Sequence, residues 1–201
     1  MARRKSLAFL DVGQGDCFVA DTKSGAIIFD GGSSSEDQVG RYRILPYMKY
    51  LGYQKIQIAV ISHMDIDHYS GIKELLEMGK IKYLGLPEIP KDETMKKIIG
   101  IAKKRGTTIF YLSRGRQITT KDGSLKVLHP QKNSQMEKNA ASLVMQGKIL
   151  GYRVLLTGDV EKEGEEELLS EELERADILK AAHHGSKNST SNEFLQKVQP
   201  F

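Results

Sequence analysis

The sequence has little cysteine and no long apolar run. Its single cysteine, Cys17, excludes a disulfide within the chain and makes a reducing compartment the simpler expectation. No apolar stretch approaches the roughly 20 residues that a membrane-spanning helix needs. The short apolar run after the basic start meets Asp11, so no signal peptide is predicted. These absences predict a cytoplasmic protein without a membrane segment.

The chain also lacks internal repeats and low-complexity linkers, which favours one domain over residues 1–201. Its 30 basic and 26 acidic residues give a formal net charge of +4. This modest excess permits a polyanionic partner without requiring one. The lysine-rich segment 96–105 is a candidate phosphate contact, although a solvated surface is the ordinary explanation of such a run.

Apolar runs between glycine turns predict an antiparallel meander at the start of the chain, followed by a mixture of hairpins and strand–helix units. This pattern predicts an α/β (α+β) fold with two packed sheets and helices outside. The predicted strands are 6–12, 16–22, 25–32, 56–62, 81–87, 107–112, 124–130 and 176–184, with a hairpin over 141–159 that turns at 148–151. The predicted helices are 36–51 with a kink at Pro46, 67–78, 92–105, 160–170 and 191–198.

The stretch "ISHMDIDHYSG" places two of the five histidines among aspartates, directly after a buried strand. His63, Asp65 and Asp67 are alternate residues, so in an extended segment their side chains point the same way. If a helix begins near Asp67, His68 turns into the same space. Imidazoles and carboxylates together suit zinc, manganese or iron. The alternative is that Asp65 or Asp67 caps the following helix.

Two later segments repeat this pattern of ligand-type residues at strand ends. "YRVLLTGDV" ends an apolar run with Asp159, and "ILKAAHHGS" ends another with His183 and His184. Asp159 alone is also a plausible helix cap. Ligands drawn from several strand ends can meet at one edge of a sheet pair, so the three segments together indicate a metal site.

"SHMDIDHYSG" resembles the signature of the metallo-β-lactamase fold, in the variant with aspartate at the second histidine position. "FLDVGQGDCFVA", "FDGG", "LLTGD" and "KAAHHGS" match, in order, the hydrolase domain of ComEC/Rec2-type competence proteins and its free-standing relatives. The resemblance extends from Leu7 to Pro200. It implies a four-layer αββα sandwich with a two-metal site at one edge.

The resemblance also implies a role for each matched residue. His63 and Asp65 would hold the first metal, Asp67 and His68 the second, and Asp159 would bridge both. One of His183 and His184 would complete the second site, and the other would act as a proton donor or support a ligand. Asp30 would sit behind the ligands and orient them, as carboxylates behind ligating histidines usually do.

The chain departs from the family pattern in three places. His129 is the only remaining candidate for a further histidine ligand, and its position favours a structural role. The family's Asn-Asp-x-Ser reads "NAAS" here, so Asn139 and Ser142 are kept as supporting residues while the acid is absent. Relatives usually continue for another strand and helix, so the C-terminal part of the fold is expected to be short.

The implied activity is metal-dependent hydrolysis of a phosphodiester, most simply DNA. Asp67, His183 and His184 are the expected catalytic residues, and Lys180, Ser186 and Lys187 are candidate substrate contacts. Two divalent ions, Zn²⁺ or Mn²⁺ with Mg²⁺ possible, are expected. Asp65 makes the site harder than an all-imidazole one, which shifts the preference from zinc towards Mn²⁺ or Mg²⁺. The alternatives are a small phosphodiester or nucleotide substrate, or a metal- or nucleic-acid-binding module without catalysis. In a competence-type assembly the location would be extracellular.

Overall fold

The computed structural model describes residues 5–137 and 139–200, which form two compact units. The first unit comprises 5–86 and 91–111. The second comprises 87–90, 112–137 and 139–200. Each unit has its own sheet, and the single domain expected from the sequence stays a prediction.

The first unit is built on a six-stranded sheet. Its strands are β1 (Ser6–Phe9), β2 (Phe18–Thr22), β3 (Gly25–Phe29), β4 (Ile56–Val60), β5 (Ile81–Pro87) and β6 (Thr108–Leu112), in that order across the sheet. β1, β2 and β3 form the predicted antiparallel meander. β3, β4 and β5 are parallel, and Phe29 pairs with Val60. The segments that follow β3 and β4 therefore leave the same edge of the sheet side by side.

The helices of the first unit follow the sequence prediction closely, apart from one start. A π-helical turn, Gly40–Ile44, continues into α1 (Leu45–Tyr50), so the helix predicted from residue 36 begins four residues later. Pro46 lies in the first turn of α1, directly after the π-helical turn. α2 (Ile66–Glu77) and α3 (Glu93–Lys104) lie within one residue of their predicted bounds.

The second unit contains a five-stranded sheet. Its strands are β7 (Gln117–Thr120), β8 (Gly123–His129), β9 (Val144–Ile149), β10 (Tyr152–Leu156) and β11 (Ile178–Lys180), in the order β11-β10-β9-β8-β7. β10 and β11 are parallel, with Leu156 opposite Lys180, and the other pairs are antiparallel. The segments that follow β10 and β11 therefore leave one edge together.

Two predictions for the second unit were wrong. β7 was missed because its "QITT" sequence has only one strongly apolar residue, although the Asp-Gly pair before β8 is a hairpin signal. The strand predicted over 176–184 ends at Lys180. A 3₁₀ turn, Ala182–Gly185, then holds His183 and His184 at positive φ, 46° and 51°.

Two short helices and an apolar cluster complete the second unit. α4 (Glu163–Leu169) and α5 (Asn192–Val198) lie within the predicted ranges. Leu155, Leu168 and Phe194 belong to the buried cluster, so β10, α4 and α5 all contribute to the core. With two sheets and five α-helices in the described part of the chain, the structure confirms the predicted mixed α/β class. Among the described residues, no helix has the length and apolar character needed to cross a bilayer.

Candidate functional site

The first histidine group consists of Asp16, Asp30, Ser62, His63, Asp65 and His68, all in the first unit. β4 ends at Val60, α2 begins at Ile66, and the intervening loop carries His63 and Asp65. His68 lies in the first turn of α2. The histidine rings are both buried, and their centroids are 4.1 Å apart. The local sequence thus brings two imidazoles together at the end of a buried strand.

The two imidazoles are held through their Nδ1 atoms. His68 Nδ1 lies 2.9 Å from Asp30 Oδ2, so it carries the proton that this carboxylate accepts. Ser62 Oγ donates its only proton to Asp30 Oδ2 at 2.8 Å, and it therefore accepts from His63 Nδ1 at 3.0 Å. Both rings are then Nδ1–H tautomers, which leaves each Nε2 with a lone pair.

The lone pairs on Nε2 face carboxylates. His63 Nε2 has no hydrogen-bond partner among the described residues and lies 3.6 Å from Asp65 Oδ2. His68 Nε2 lies 3.8 Å from Asp16 Oδ2. An Nε2 acceptor beside a carboxylate, with Nδ1–H held from behind, is the usual arrangement of a metal-ligating histidine. These residues therefore fit a divalent cation.

Asp30 fixes this arrangement from the end of β3. It is fully buried, and its carboxylate also accepts the Ser62 N–H at 2.7 Å. Its φ of 57° is one that aspartate tolerates better than most residues. The following Gly32 allows close approach of α2, because a Cβ there would lie 2.5 Å from the Ile66 carbonyl oxygen. The "FDGG" motif thus combines a buried acceptor with the space that the helix start needs.

Asp16 was missed as a site residue. It follows the Gly-Gln-Gly turn, and its N–H donates to the Asp67 carbonyl at 3.1 Å. The signal was present in the "DVGQGD" motif, where an acid directly follows a tight glycine turn. Its neighbour Cys17 is no candidate nucleophile, because burial, with a smaller effect of the Asp30 and Asp16 charges, raises the pKa of its thiol far above the usual range.

The alternative that an aspartate caps the following helix has a different outcome for Asp65 and for Asp67. Asp65 occupies the N-cap position of α2, yet within the described residues its side chain accepts no N–H of the first turn. Its carboxylate instead lies beside His63. Asp67 lies in the first turn, where a negative charge is favourable at a helix N-terminus. Its assignment as a metal ligand stays a prediction.

The second histidine group consists of Asp159, Glu161, Lys180, His183 and His184, all in the second unit. Asp159 is buried at the end of β10, and its N–H donates to Ser142 Oγ at 3.3 Å. Lys180 Nζ donates to Asp159 Oδ1 at 3.1 Å and to the Gly158 carbonyl at 2.6 Å. Ser142 and Lys180 thus both hold the segment that carries Asp159.

The 3₁₀ turn gives the two adjacent histidines different partners. His184 Nε2 lies 3.5 Å from Asp159 Oδ2, whereas His183 Nδ1 lies 2.5 Å from Glu161 Oε1. Their ring centroids are 6.1 Å apart. Glu161 was missed as a site residue. It lies 22 positions before His183, and no sequence pattern indicates that the two side chains are in contact.

Several predicted residues lie in other surroundings. The structure does not support Lys180 as a substrate contact, because its ammonium group is buried and bound to Gly158 and Asp159. Ser186 Oγ accepts the Asn188 N–H, and Lys187 is exposed. Asn139 lines a cavity of about 680 Å³ together with Glu137, Ala140, Glu161, Lys162 and Glu163. In the lysine-rich segment, Lys96 pairs with Glu93 at 2.8 Å.

His129 is buried, and its partners belong to neither histidine group. Its Nε2 donates to the Ala140 carbonyl at 2.7 Å, and its Nδ1 lies 3.4 Å from Glu167 Oε2. Burial is the main reason that its pKa lies below the usual value, followed by opposing effects of its neighbours. This placement agrees with the structural role that its sequence position favours, since His129 anchors the loop that precedes Ser142.

Comparison with known proteins identifies the class. Residues 10–200 match the model of the metallo-beta-lactamase superfamily, and the chain belongs to this superfamily. It is 35% identical over 210 residues to ComE operon protein 3 of Bacillus subtilis, covering 95% of this chain and 27% of that protein. It is 28% identical over 200 residues to the competence protein ComA of Neisseria gonorrhoeae, covering 94% and 25%. The chain thus spans about a quarter of the length of these relatives.

Solved structures support the same fold. The metallo-beta-lactamase fold protein YhfI of Bacillus subtilis has a TM-score of 0.60 at 14% identity, covering 94% of this chain and 77% of that one. The short form of human tRNase Z has a TM-score of 0.54 at 13% identity, covering 98% and 88%. At these identities the likeness concerns the fold alone. Members of this superfamily are typically metal-dependent hydrolases, which is the class that the sequence predicts.

Proposed function

We propose that this chain is a metal-dependent phosphodiesterase that acts on DNA. The observation that carries the proposal is the first histidine group, in which Asp30 and Ser62 hold two buried imidazoles with their Nε2 lone pairs toward carboxylates. The order of motifs resembles the hydrolase domain of competence proteins, and a competence protein is among the relatives. The tRNase Z neighbour shows that this fold is found in a nuclease.

The proposed ligands are those expected from the sequence, with two refinements. His63, Asp65, Asp67, His68 and Asp159 keep their expected roles. His184 is the preferred ligand of the histidine pair because its Nε2 faces Asp159, and Asp16 joins the set because its carboxylate faces His68 Nε2. Two divalent ions, Zn²⁺ or Mn²⁺ with Mg²⁺ possible, would supply an activated water and neutralise charge on the phosphoryl oxygens.

The remaining residues position these groups and move a proton. Asp30 orients His68 and, through Ser62, His63. Lys180 and Ser142 hold Asp159. His183 is the proposed proton donor to the leaving oxygen, because the Glu161 carboxylate accepts its Nδ1–H and orients the ring, as an acid behind a general acid–base histidine does.

The test compares metal content and turnover in matched variants. Purified protein is loaded separately with Mn²⁺, Mg²⁺ or Zn²⁺, and metal is counted by mass spectrometry. The substrates are single-stranded DNA, double-stranded DNA and bis(p-nitrophenyl) phosphate. We expect about two ions per chain and metal-dependent cleavage of DNA. Asp67→Asn should lower turnover at least about 100-fold and reduce metal content.

Asp37→Asn is the matched control, because Asp37 is an exposed aspartate of the same unit, and it should behave as wild type. A wild-type protein that binds no metal would contradict the proposal as a whole. Turnover of bis(p-nitrophenyl) phosphate without DNA cleavage would indicate a small phosphodiester substrate. Two bound ions without turnover of any substrate would indicate the binding module without catalysis.

A further inference from the structure

The helix formed by the π-helical turn and α1 presents an unusual face to solvent. Tyr42 and Tyr50 are 63% and 76% exposed, the highest values among the large apolar side chains that the structure describes. The opposite side of the same helix is anchored, since Ile44 and Met48 are almost completely buried. The exposed rings therefore stand on a firmly packed helix rather than on a loop.

The exposed side of this helix is also basic. Residues 40–50 contain Arg41, Arg43 and Lys49, which are all exposed, and no acidic residue. Tyr42 lies in the π-helical turn and Tyr50 at the end of α1, eight residues later. Tyr47 stacks against Tyr50 with ring centroids 6.1 Å apart and an interplanar angle of 28°, which restricts the Tyr50 ring.

Exposed aromatic rings interleaved with cations are the combination that single-stranded nucleic acid requires. Unpaired bases stack on aromatic faces, and the phosphates are attracted to nearby cations. Duplex DNA does not offer its base faces, because they are stacked within the helix. The net charge of +4 is compatible with such a polyanionic partner.

We propose that this face binds single-stranded DNA, with bases stacked on Tyr42 and Tyr50 and phosphates beside Arg43 and Lys49. We call it the tyrosine face and define it by Arg41, Tyr42, Arg43, Tyr47, Lys49 and Tyr50. The inference rests on the proposed function and deepens it, because it names the form of DNA that reaches the protein.

The tyrosine face is joined directly to the helix that carries part of the first histidine group. A Cβ at Gly40 would lie 2.4 Å from the Gly71 carbonyl oxygen, so the two helices meet at glycines. Glu74 of α2 also accepts the Arg41 N–H at 3.0 Å. α2 begins at Ile66 and carries His68 in its first turn. A strand held on the tyrosine face is therefore bound to the same packed unit as the first histidine group.

The test measures binding of a fluorescein-labelled 20-nucleotide oligothymidine by anisotropy, in EDTA so that no metal-dependent cleavage occurs. Tyr42→Ala and Tyr50→Ala should each weaken binding about 5- to 150-fold, the range for loss of one base–aromatic stack. Tyr42→Phe and Tyr50→Phe, which keep the ring, should stay within about threefold of wild type. Arg43→Gln should lower the slope of log affinity against log salt by about one.

Tyr152→Ala is the matched control, because Tyr152 is 50% exposed on β10 in the second unit, and it should bind as wild type. Thermal unfolding followed by circular dichroism checks that each variant is folded. Equal affinity of the Tyr42→Ala/Tyr50→Ala double variant and wild type would overturn the proposal. Tighter binding of a duplex of equal length, or no binding by wild type, would overturn it too. Because binding is read without metal, none of these results depends on the metal count and turnover that test the hydrolase.

Discussion

The two histidine groups are built by different physical means. In the first, a buried carboxylate, Asp30, accepts three hydrogen bonds and fixes both imidazoles through backbone, hydroxyl and imidazole donors. In the second, the carboxylate of Asp159 is held by an ammonium group, and the two histidines lie in a turn with positive φ. The first group is arranged by a fixed hydrogen-bond network, and the second by ion pairs around a strained turn.

The two groups should therefore differ in how strongly they resist the loss of an interaction. Hydrogen bonds to a buried carboxylate are costly to break, because every donor left behind is also buried. In the second group, the pair of Lys180 with Asp159 is buried, whereas the pair of His183 with Glu161 is partly open to water and is therefore weaker. We therefore expect the first group to keep its geometry with or without metal, and the second to depend more on its individual side chains.

The largest expected effect is on turnover, and it should differ between substitutions of His183 and His184 in the second group. His183→Gln should keep metal affinity within about threefold and lower turnover by about 10²- to 10⁴-fold, the usual contribution of a positioned proton donor. His184→Gln should weaken metal binding at least about tenfold. Metal titration by calorimetry and steady-state turnover distinguish these outcomes. The reverse pattern would exchange the two assignments.

Asp30→Ala should strongly destabilise the first unit. It leaves the Ser62 N–H, the Ser62 hydroxyl and His68 Nδ1–H buried without their acceptor, at about 1–3 kcal/mol each, so we expect a loss of roughly 4 kcal/mol. Asp30→Asn is the matched control, because asparagine also tolerates positive φ and still offers one oxygen. Urea unfolding in EDTA measures both. Asparagine keeps an acceptor for the Ser62 N–H but not for both Ser62 Oγ and His68 Nδ1, so it should lose less stability than alanine without recovering that of wild type. A loss below about 1 kcal/mol for Asp30→Ala would contradict the role of these hydrogen bonds.

Lys180→Met tests the ion pair of the second group. Removing the ammonium group leaves the buried Asp159 carboxylate without this cation, and breaking a buried pair in this way costs about 3 kcal/mol. Lys187→Met, at an exposed lysine in the same unit, should change the free energy of unfolding by less than about 0.5 kcal/mol. If the two variants unfold at the same urea concentration in EDTA, Lys180 does not hold Asp159.

The same comparison explains what the sequence predicted and what it did not. The segment from His63 to His68 is local, so the strand before it, the helix after it and its cluster of ligand-type residues were all predictable. The contacts of Lys180 with Asp159 and of His183 with Glu161 join residues 21 and 22 positions apart. They depend on the register of β10 and β11 and on the φ angles of one turn, neither of which a sequence pattern determines.

Asp16 and β7 were missed for related reasons. The proximity of Asp16 to His68 depends on the Gly-Gln-Gly turn and on the close approach that Gly32 allows, which is tertiary rather than local information. β7 has little apolar character of its own and forms because β8 offers it a partner. In both cases a neighbouring segment decides the structure, and local propensity contributes little.

The smallest expected effect is on the pH dependence of the free energy of unfolding, to which His129 contributes. Its pKa is lowered in the folded protein, chiefly by burial, and also by Arg114, while the Ala140 carbonyl and Glu167 oppose the shift. The unfolded chain therefore binds a proton near pH 6.5 that the folded chain binds less readily. The stability that neutral His129 contributes is fully present above pH 6.5 and is lost as the pH falls below it.

His129→Gln should flatten this pH dependence, because glutamine can still donate to the Ala140 carbonyl but does not titrate. Urea unfolding of both proteins at pH 7.5, 6.5 and 5.5 gives the difference that belongs to His129, since the other titrating groups are common to both. The wild-type free energy of unfolding should fall more steeply with acid than that of the variant. Parallel curves would show that His129 keeps its proton affinity on folding. They would also show that the loop before Ser142, and with it the N–H contact of Asp159, is not destabilised by acid through this residue.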